Sequence, residues 1–206
     1  MSYRVVLADD HPVTRLGLRA MISATPGLTI VAEAHDGPSA MASCLELTPD
    51  VALLDFWLPG LNALQVLEQL RAQSCPARVL VVSGQGTLES ARQSKLAGAF
   101  GFLSKDTEPS ALMRSVYEVA AGRMAWTTSQ RRSFTELEQR PVLSSREFEV
   151  LRALSTGASN KEIAQALGVA DGTVRIHLSN IFGKLDVDDR TSAVTLALRQ
   201  GLIALD

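Results

Sequence analysis

Two short runs, Val51-Ala52-Leu53-Leu54 and Val79-Leu80-Val81-Val82, are apolar at every position. A strand with one wet face alternates apolar and polar residues. A strand that is apolar throughout must be covered on both faces, as in a parallel sheet between two layers of helices. Arg4–Ala8, Leu28–Ala34 and Phe100–Ser104 are also β-rich, and with Val51–Asp55 and Arg78–Ser83 they make five strand candidates. Amphipathic stretches follow each of them: Pro12–Ser23, Pro38–Leu47, Asn62–Gln73, Thr87–Leu96 and Pro109–Ala121. Five βα units in succession predict a doubly wound, parallel five-stranded α/β domain over residues 1–122. Ligands of such a sheet bind beyond the carboxyl ends of its strands.

The rhythm then changes. Residues 123–142 contain the polar run Thr127–Ser133 and end near Pro141, and they read as a linker, partly helical around Phe134–Gln139. No strand pattern returns in residues 143–206. Ser144 with Glu147, and Ser159 with Glu162, form two S-x-x-E capping boxes, each opening an apolar helical run. Gly157 and Gly168 are placed to end helices. A small all-α domain of four helices is predicted: Ser144–Thr156, Asn160–Leu167, Asp171–Leu185 and Arg190–Gln200.

Composition narrows the classes. The chain has 206 residues, 46% hydrophobic and 20% charged, which suits two small globular domains and not a disordered chain. No apolar run nears the ~20 residues that span a bilayer, and the start lacks the long apolar stretch of a signal peptide. A cytoplasmic chain with no membrane partner is expected. Cys44 and Cys75 are too few for a disulfide framework or a structural zinc site. The net charge of −2 points to no partner.

Asp9 and Asp10 end the first predicted strand, Asp55 ends the third, Ser83 ends the fourth and Lys105 follows the fifth. In a doubly wound sheet those ends share one rim. Three carboxylates meeting there repel unless a cation joins them, and a hard oxygen-seeking ion such as Mg²⁺ suits the donors. A hydroxyl and an ammonium beside such a cluster suit a phosphoryl group.

At this point the first half resembles the receiver domain of two-component response regulators over residues 1–122. The matching residues are the acidic pair Asp9-Asp10, the run Asp55-Phe56-Trp57-Leu58-Pro59, Ser83, and Gly101-Phe102-Leu103-Ser104-Lys105. The resemblance implies that Asp55 accepts a phosphoryl group from a sensor histidine kinase. It implies that Mg²⁺ is held by Asp10, Asp55 and the backbone carbonyl of Trp57, with Asp9 acting through a metal-bound water. Lys105 and Ser83 would contact the phosphoryl oxygens, and Ser83 with Phe102 would form the switch. On this reading the domain catalyses only its own phosphorylation and dephosphorylation and is no enzyme for an outside substrate. Two positions depart from the family pattern. Ala63 stands where a glycine is usual, so alanine is strained if a positive φ is needed there. Trp57 is large for its place and is expected to shield an aspartyl phosphate from water. His11 reads as a surface residue at a helix start, and His35 receives no role.

The second half has helix-turn-helix spacing in Asn160–Leu167, Gly168-Val169-Ala170 and Asp171–Leu185. Ile163, Ala164 and Leu167 are the expected inner face of its first helix, and Val174, Ile181 and Leu185 that of its second. Leu143–Leu151, Gly157–Ala164, Thr173-Val174-Arg175-Ile176-His177 and Lys184-Leu185 resemble the LuxR-type DNA-binding domain. A receiver followed by this domain is the arrangement of the NarL/FixJ class. The resemblance places Arg175, Ile176 and Ser179 toward the major groove and Lys161, Thr173, Lys184 and Arg190 on the phosphate backbone. His177 is read as a packed structural residue. Val194, Ala197 and Leu198 would form a homodimer contact on double-stranded promoter DNA, with RNA polymerase as a further partner. From Leu143 to Asp206 there are seven basic and eight acidic residues, so a monomer is expected to bind DNA weakly. Ala170 stands where a serine commonly caps the recognition helix, and Asp171 is expected to cap one residue later.

Three alternatives carry different chemistry. An aspartate-nucleophile phosphohydrolase needs a second acid two residues after the nucleophile, where Trp57 stands. A dinucleotide enzyme needs a glycine-rich turn after the first strand, where Asp9-Asp10-His11-Pro12 stands. A regulator with a vestigial, phosphate-independent receiver is compatible with every motif above.

Overall fold

The computed structural model describes residues 2–84, 86–137, 143–199 and 202–203. The chain divides into two compact units.

The first unit is a five-stranded parallel sheet of order β2-β1-β3-β4-β5. Its strands are β1 (Tyr3–Ala8), β2 (Leu28–Ala34), β3 (Val51–Asp55), β4 (Arg78–Ser83) and β5 (Gly101–Ser104). In sequence the helices between and after them are α1 (Pro12–Ser23), α2 (Gly37–Leu47), α3 (Ala63–Ala72), α4 (Leu88–Ala97) and α5 (Pro109–Ala120), of which the first part of α4, within Thr87–Gln93, is assigned to the second unit. Alternate residues of the central strands divide between two faces. Val5, Leu7, Val51, Leu53, Leu80 and Val82 pack with Leu18 and Ile22 of α1 and with Leu112, Val116 and Val119 of α5. Val6, Ala52, Leu54, Val79 and Val81 face the other way and are equally buried. Covering both faces is what the uniformly apolar runs require.

Register brings the strand ends to one rim. Ala8 pairs with Leu54, Asp55 with Val82, and Ser83 with Ser104. Two backbone bonds extend this alignment into the loops: Phe56 N–H donates to Val82 O at 2.9 Å, and Lys105 N–H to Ser83 O at 2.9 Å. The β3–α3 loop is fixed from the side by the start of α2, where Gly37 N–H donates to Pro59 O at 2.9 Å. A Cβ on Gly37 would stand 1.9 Å from Leu61 O, so this close approach of two backbones admits only glycine. Asn62 caps α3 in a reciprocal capping box with Gln65. Ala63 is the first residue of α3 and is buried; it is not among the described non-glycine residues of positive φ, so the strain considered for it does not arise.

The predicted linker is more ordered than its composition suggests. Ala125 bridges Gly101 at the edge of β5, and helix α6 (Thr128–Leu137) begins within the polar run. Thr127 accepts a hydrogen bond from Gln130 N–H on its hydroxyl, which starts that helix. Glu138 and Gln139 lie outside the described residues.

The second unit contains α7 (Ser145–Ser155), α8 (Asn160–Leu167), α9 (Asp171–Leu185) and α10 (Arg190–Arg199). Gln200, expected at the end of the last helix, lies outside the described residues. Both capping boxes form as read, Ser144 with Glu147 and Ser159 with Glu162. Gly168 ends α8 in the left-handed conformation. Phe148, Leu151, Leu154, Ile163, Val174, Leu178 and Ile181 are buried. No described helix is long and apolar enough to cross a membrane.

Gly37→Ala is expected to lower the stability of the first unit by about 3 kcal/mol, because the clash is with backbone that cannot swing aside. Its denaturant midpoint against that of the parent chain measures this.

Candidate functional site

Asp9, at the end of β1, and Asp55, the last residue of β3, are 1% and 4% exposed. Lys105 follows β5, and its Nζ lies 2.8 Å from Asp9 Oδ2 and 2.9 Å from Asp55 Oδ2. One ammonium therefore joins two buried carboxylates. Asp9 is pinned on both sides: His11 N–H donates to its Oδ1 at 2.8 Å, and Arg15 Nη1 donates to its backbone carbonyl at 2.6 Å. Single donor atoms of Asp9, Asp10, His11 and Asp55 all lie within 4.8 Å of one another.

The charges are balanced tightly. Burial pushes the Asp55 carboxyl above its ordinary value, Lys105 pulls against this by hydrogen bond and charge, and Asp9 and Asp10 push the same way as burial. For Lys105, burial opposes the charged form, but its bonds to Asp9 and Asp55 outweigh that and raise its pKa. The donors are hard oxygens with an excess of negative charge. They fit a divalent cation of the Mg²⁺ kind.

Ser83 is fully buried, and its Oγ has no hydrogen-bond partner. An unpaired buried hydroxyl at the rim is a costly arrangement unless it awaits an acceptor. Phe102 is buried, and its ring meets that of Phe56 edge-on at 6.0 Å. It lies under the β4–α4 loop: a Cβ on Gly86 would stand 2.6 Å from the Phe102 ring. Trp57 is half-buried, with its ring edge-on to Phe56 at 4.7 Å.

In the second unit, α9 shows a divided surface. Val174, Leu178 and Ile181 point inward. Arg175, Ile176, Ser179 and Asn180 are exposed at helical spacing, and Ile176 is 63% exposed. Lys161 on α8 is exposed, and Thr173 in the first turn of α9 is half-buried. Arg190 is exposed, and its Nη2 donates to Ala158 O at 2.8 Å.

Residues 5–117 match the model of the response regulator receiver domain, and residues 141–197 match that of the bacterial regulatory proteins of the luxR family. The chain is a two-component response regulator of the NarL/FixJ class. It is 38% identical over 206 residues to a "Probable transcriptional regulatory protein NarL" of Mycobacterium tuberculosis, covering 97% of this chain and 95% of the relative. It is 34% identical over 205 residues to the nitrate/nitrite response regulator NarP of Escherichia coli, covering 96% and 95%. Among solved structures, the response regulator ChrA of a heme-sensing two-component system is 36% identical, with 98% of this chain and 99% of that chain covered and a TM-score of 0.56. RcsB of Salmonella typhimurium, at 20% identity and a TM-score of 0.76 over 97% of this chain, shares the fold.

The regulator departs from its sequence-level expectations in three places. Lys184, expected on the DNA backbone, has its Nζ 2.6 Å from Oε2 of buried Glu147, the residue that also closes the α7 capping box. That ammonium ties the end of α9 to the start of α7. Asp171 does not cap α9; Ala170 is the N-cap without a side-chain bond, and Asp171 pairs with Arg175 one turn on, at 2.6 Å. Ala197 is fully buried within the chain, so it is removed from the expected dimer contact, while Val194 and Leu198 remain half-buried. Arg15, which bonds the Asp9 carbonyl, is signalled in the sequence only by its helical position after the acidic pair.

Burial opposes the Glu147 charge, but the Lys184 ammonium and the Ser144 amide outweigh it and hold the carboxyl below its usual 4.5. Its stabilising contribution is therefore complete above that value and lost as acid titrates it. Lys184→Met is expected to destabilise the second unit by about 2 kcal/mol at neutral pH. That deficit should shrink as the pH falls below 4.5. Asp55 has the opposite sign. In metal-free protein, Asp55→Asn is expected to raise the unfolding temperature at neutral pH, and the gain should close as the pH falls toward 3.8. Thermal unfolding of the paired chains over pH measures both.

Proposed function

We propose that Asp55 is the phospho-acceptor, that a sensor histidine kinase is the donor, and that phosphorylation controls binding of the second unit to promoter DNA in the cytoplasm. The observation that carries this reading is the Lys105 ammonium bridging Asp9 and Asp55 at the rim, with the unpaired Ser83 hydroxyl nearby. An Asp55 oxygen bonds to phosphorus as the P–N bond to the kinase histidine breaks. The nitrogen leaves with the electron pair and takes a proton from solvent. Lys105 keeps a phosphoryl oxygen in the place its carboxylate partner now occupies, and Ser83 donates its hydroxyl to another. Asp10, Asp55 and the Trp57 carbonyl would hold Mg²⁺, with Asp9 acting through a bound water. When bound, that ion supplies positive charge to offset the transferring phosphoryl group. Ser83 turning toward the phosphoryl group frees the space beside Phe102, which makes the pair a two-position element biased by a local charge.

On DNA, Arg175, Ile176 and Ser179 would face the major groove, with Lys161, Thr173 and Arg190 on phosphates. Few cations remain for phosphates once Lys184 is committed to Glu147. Binding would then depend on a homodimer, with Val194 and Leu198 at its contact, reading two half-sites. RNA polymerase is a further partner of the DNA-bound dimer. The domains in this reading are 1–122, 123–142 and 143–206.

Intact mass after incubation with Mg²⁺ and a small phosphodonor tests the chemistry. One added phosphoryl group is expected, absent from Asp55→Asn and absent without Mg²⁺. A folded protein that gains none, beside a control regulator that does, would establish a phosphate-independent receiver instead.

A further inference from the structure

We propose that Gln130 couples the switch residue Phe102 to helix α6: its side-chain amide holds the start of that helix to β5, and phosphorylation loosens the hold. The inference rests on the reading of Asp55 as phospho-acceptor and of Phe102 as half of the switch. It adds a positioning residue that acts through Phe102.

β5 stands last in the sheet order, so one of its edges has no strand beside it. Backbone groups on such an edge need other partners. The segment before α6 supplies the first of them. Ala125 N–H donates to Phe100 O at 2.8 Å, and Ala125 bridges Gly101 in parallel. By the level of Phe102 the chain has turned away into α6. A side chain takes over there: Gln130 Nε2 donates to Phe102 O at 2.9 Å, in a part-buried bond.

The same amide starts the helix. Gln130 Oε1 accepts the Thr127 N–H at 2.9 Å, and Thr127 Oγ1 accepts the Gln130 N–H at 3.2 Å. This is a reciprocal capping box of the T-x-x-Q kind, a role that glutamate fills as well as glutamine. Glutamate has no N–H, however, so only the amide can also reach β5. Arg131 Nε donates to Trp126 O at 3.1 Å, but that bond stays within the segment, whereas the Gln130 bond crosses to the sheet. The chain passes from the first unit to the second inside α6, after Arg132.

Phe102 is placed to pass on a displacement. A Cβ on Gly86 would stand 2.6 Å from its ring and 3.5 Å from Ser83 Cβ, so ring and hydroxyl residue lie under the same loop. Phe56 meets the ring from another side at 6.0 Å. A ring enclosed in this way turns toward the space left by Ser83 only with some movement of its own backbone, because close packing transmits shifts. A shift of about 0.7 Å at the Phe102 carbonyl takes the bond to Gln130 out of hydrogen-bond range.

Hydrogen exchange of the α6 amides in the full chain, before and after Mg²⁺ and a small phosphodonor, tests this. Intact mass records the phosphoryl group in the same samples. Gln130→Glu keeps the capping box and loses the donor to Phe102; Thr127→Ala weakens the capping box and keeps the donor. The parent is expected to exchange about fivefold faster once phosphorylated, the worth of one net hydrogen bond, and Asp55→Asn not to change. Gln130→Glu should exchange about fivefold faster from the outset and gain less than about twofold on phosphorylation. Thr127→Ala should exchange faster in both states and keep the full step. Gln130→Met, which brings no new charge, should lose the step as Gln130→Glu does. A step retained in both Gln130 variants would reduce Gln130 to a helix cap and overturn the coupling. A phosphorylated parent with unchanged α6 exchange would overturn it too, while Asp55 as acceptor stands. A parent that gains no phosphoryl mass would overturn the Asp55 reading and the coupling with it. Circular dichroism of each variant separates a lost step from lost folding.

Discussion

Charge crowding at the ends of β1 and β3 is the constraint on which the first unit depends. Two carboxylates with almost no exposure cannot remain ionised side by side without a cation, since charge buried without a partner costs several kcal/mol. Lys105 meets that need from the end of β5, fifty residues from Asp55. Its reach depends on the sheet order, which places β4 between β3 and β5, and on the bond from Lys105 N–H to Ser83 O that continues the register past the strand. The arrangement is balanced rather than relaxed. Burial holds the Asp55 carboxyl up while Lys105 pulls it down, so a group that adds or removes charge at this rim changes the balance directly.

The second unit uses a lysine in a related way with a different result. Glu147 is buried to close a capping box, and Lys184 comes from the far end of α9 to neutralise it. The pair ties the opening of α7 to the far end of α9, a helix whose other face is exposed. It also withdraws one cation from that face. Arg175 is likewise shared with Asp171, though Arg175 is exposed and Asp171 only half-buried, so that pair is screened by solvent. What is left exposed on α9 is one arginine, one isoleucine and small polar groups, a surface better suited to reading base edges than to neutralising phosphates.

Strand ends and helix spans were legible because each rests on local pattern. Residues apolar on both faces mark β3 and β4, and the two S-x-x-E boxes mark α8 to the residue and α7 to within one residue at each end. The rim cluster followed from strand ends alone. The remainder depended on partners distant in sequence. Nothing near Lys184 signals that Glu147, 37 residues earlier, will claim it. Gly37 looks like an ordinary helix-start glycine until Leu61 is brought against it. Ala197 has the same spacing as Val194 and Leu198, and only packing decides which of the three is covered. Thr127–Ser133 is polar enough to read as linker, yet Thr127 and Gln130 supply a helix start that composition conceals. Ala63 escapes the strain considered for it because the helix begins at that residue, with Asn62 taking the non-helical backbone.

His11 shows how one local restriction reaches the site. Pro12 favours extended backbone at the residue before it, so the helix begins one residue later and His11 stays at the strand's exit. Its amide is then spent on Asp9 and its ring is left beside Asp10. A helical residue in that place would carry its side chain away around α1. The position of the His11 ring beside the acidic pair therefore follows from a proline that touches neither carboxylate. Any charge brought to this rim would enter the balance between Asp55 and Lys105, because all of it acts in one buried volume.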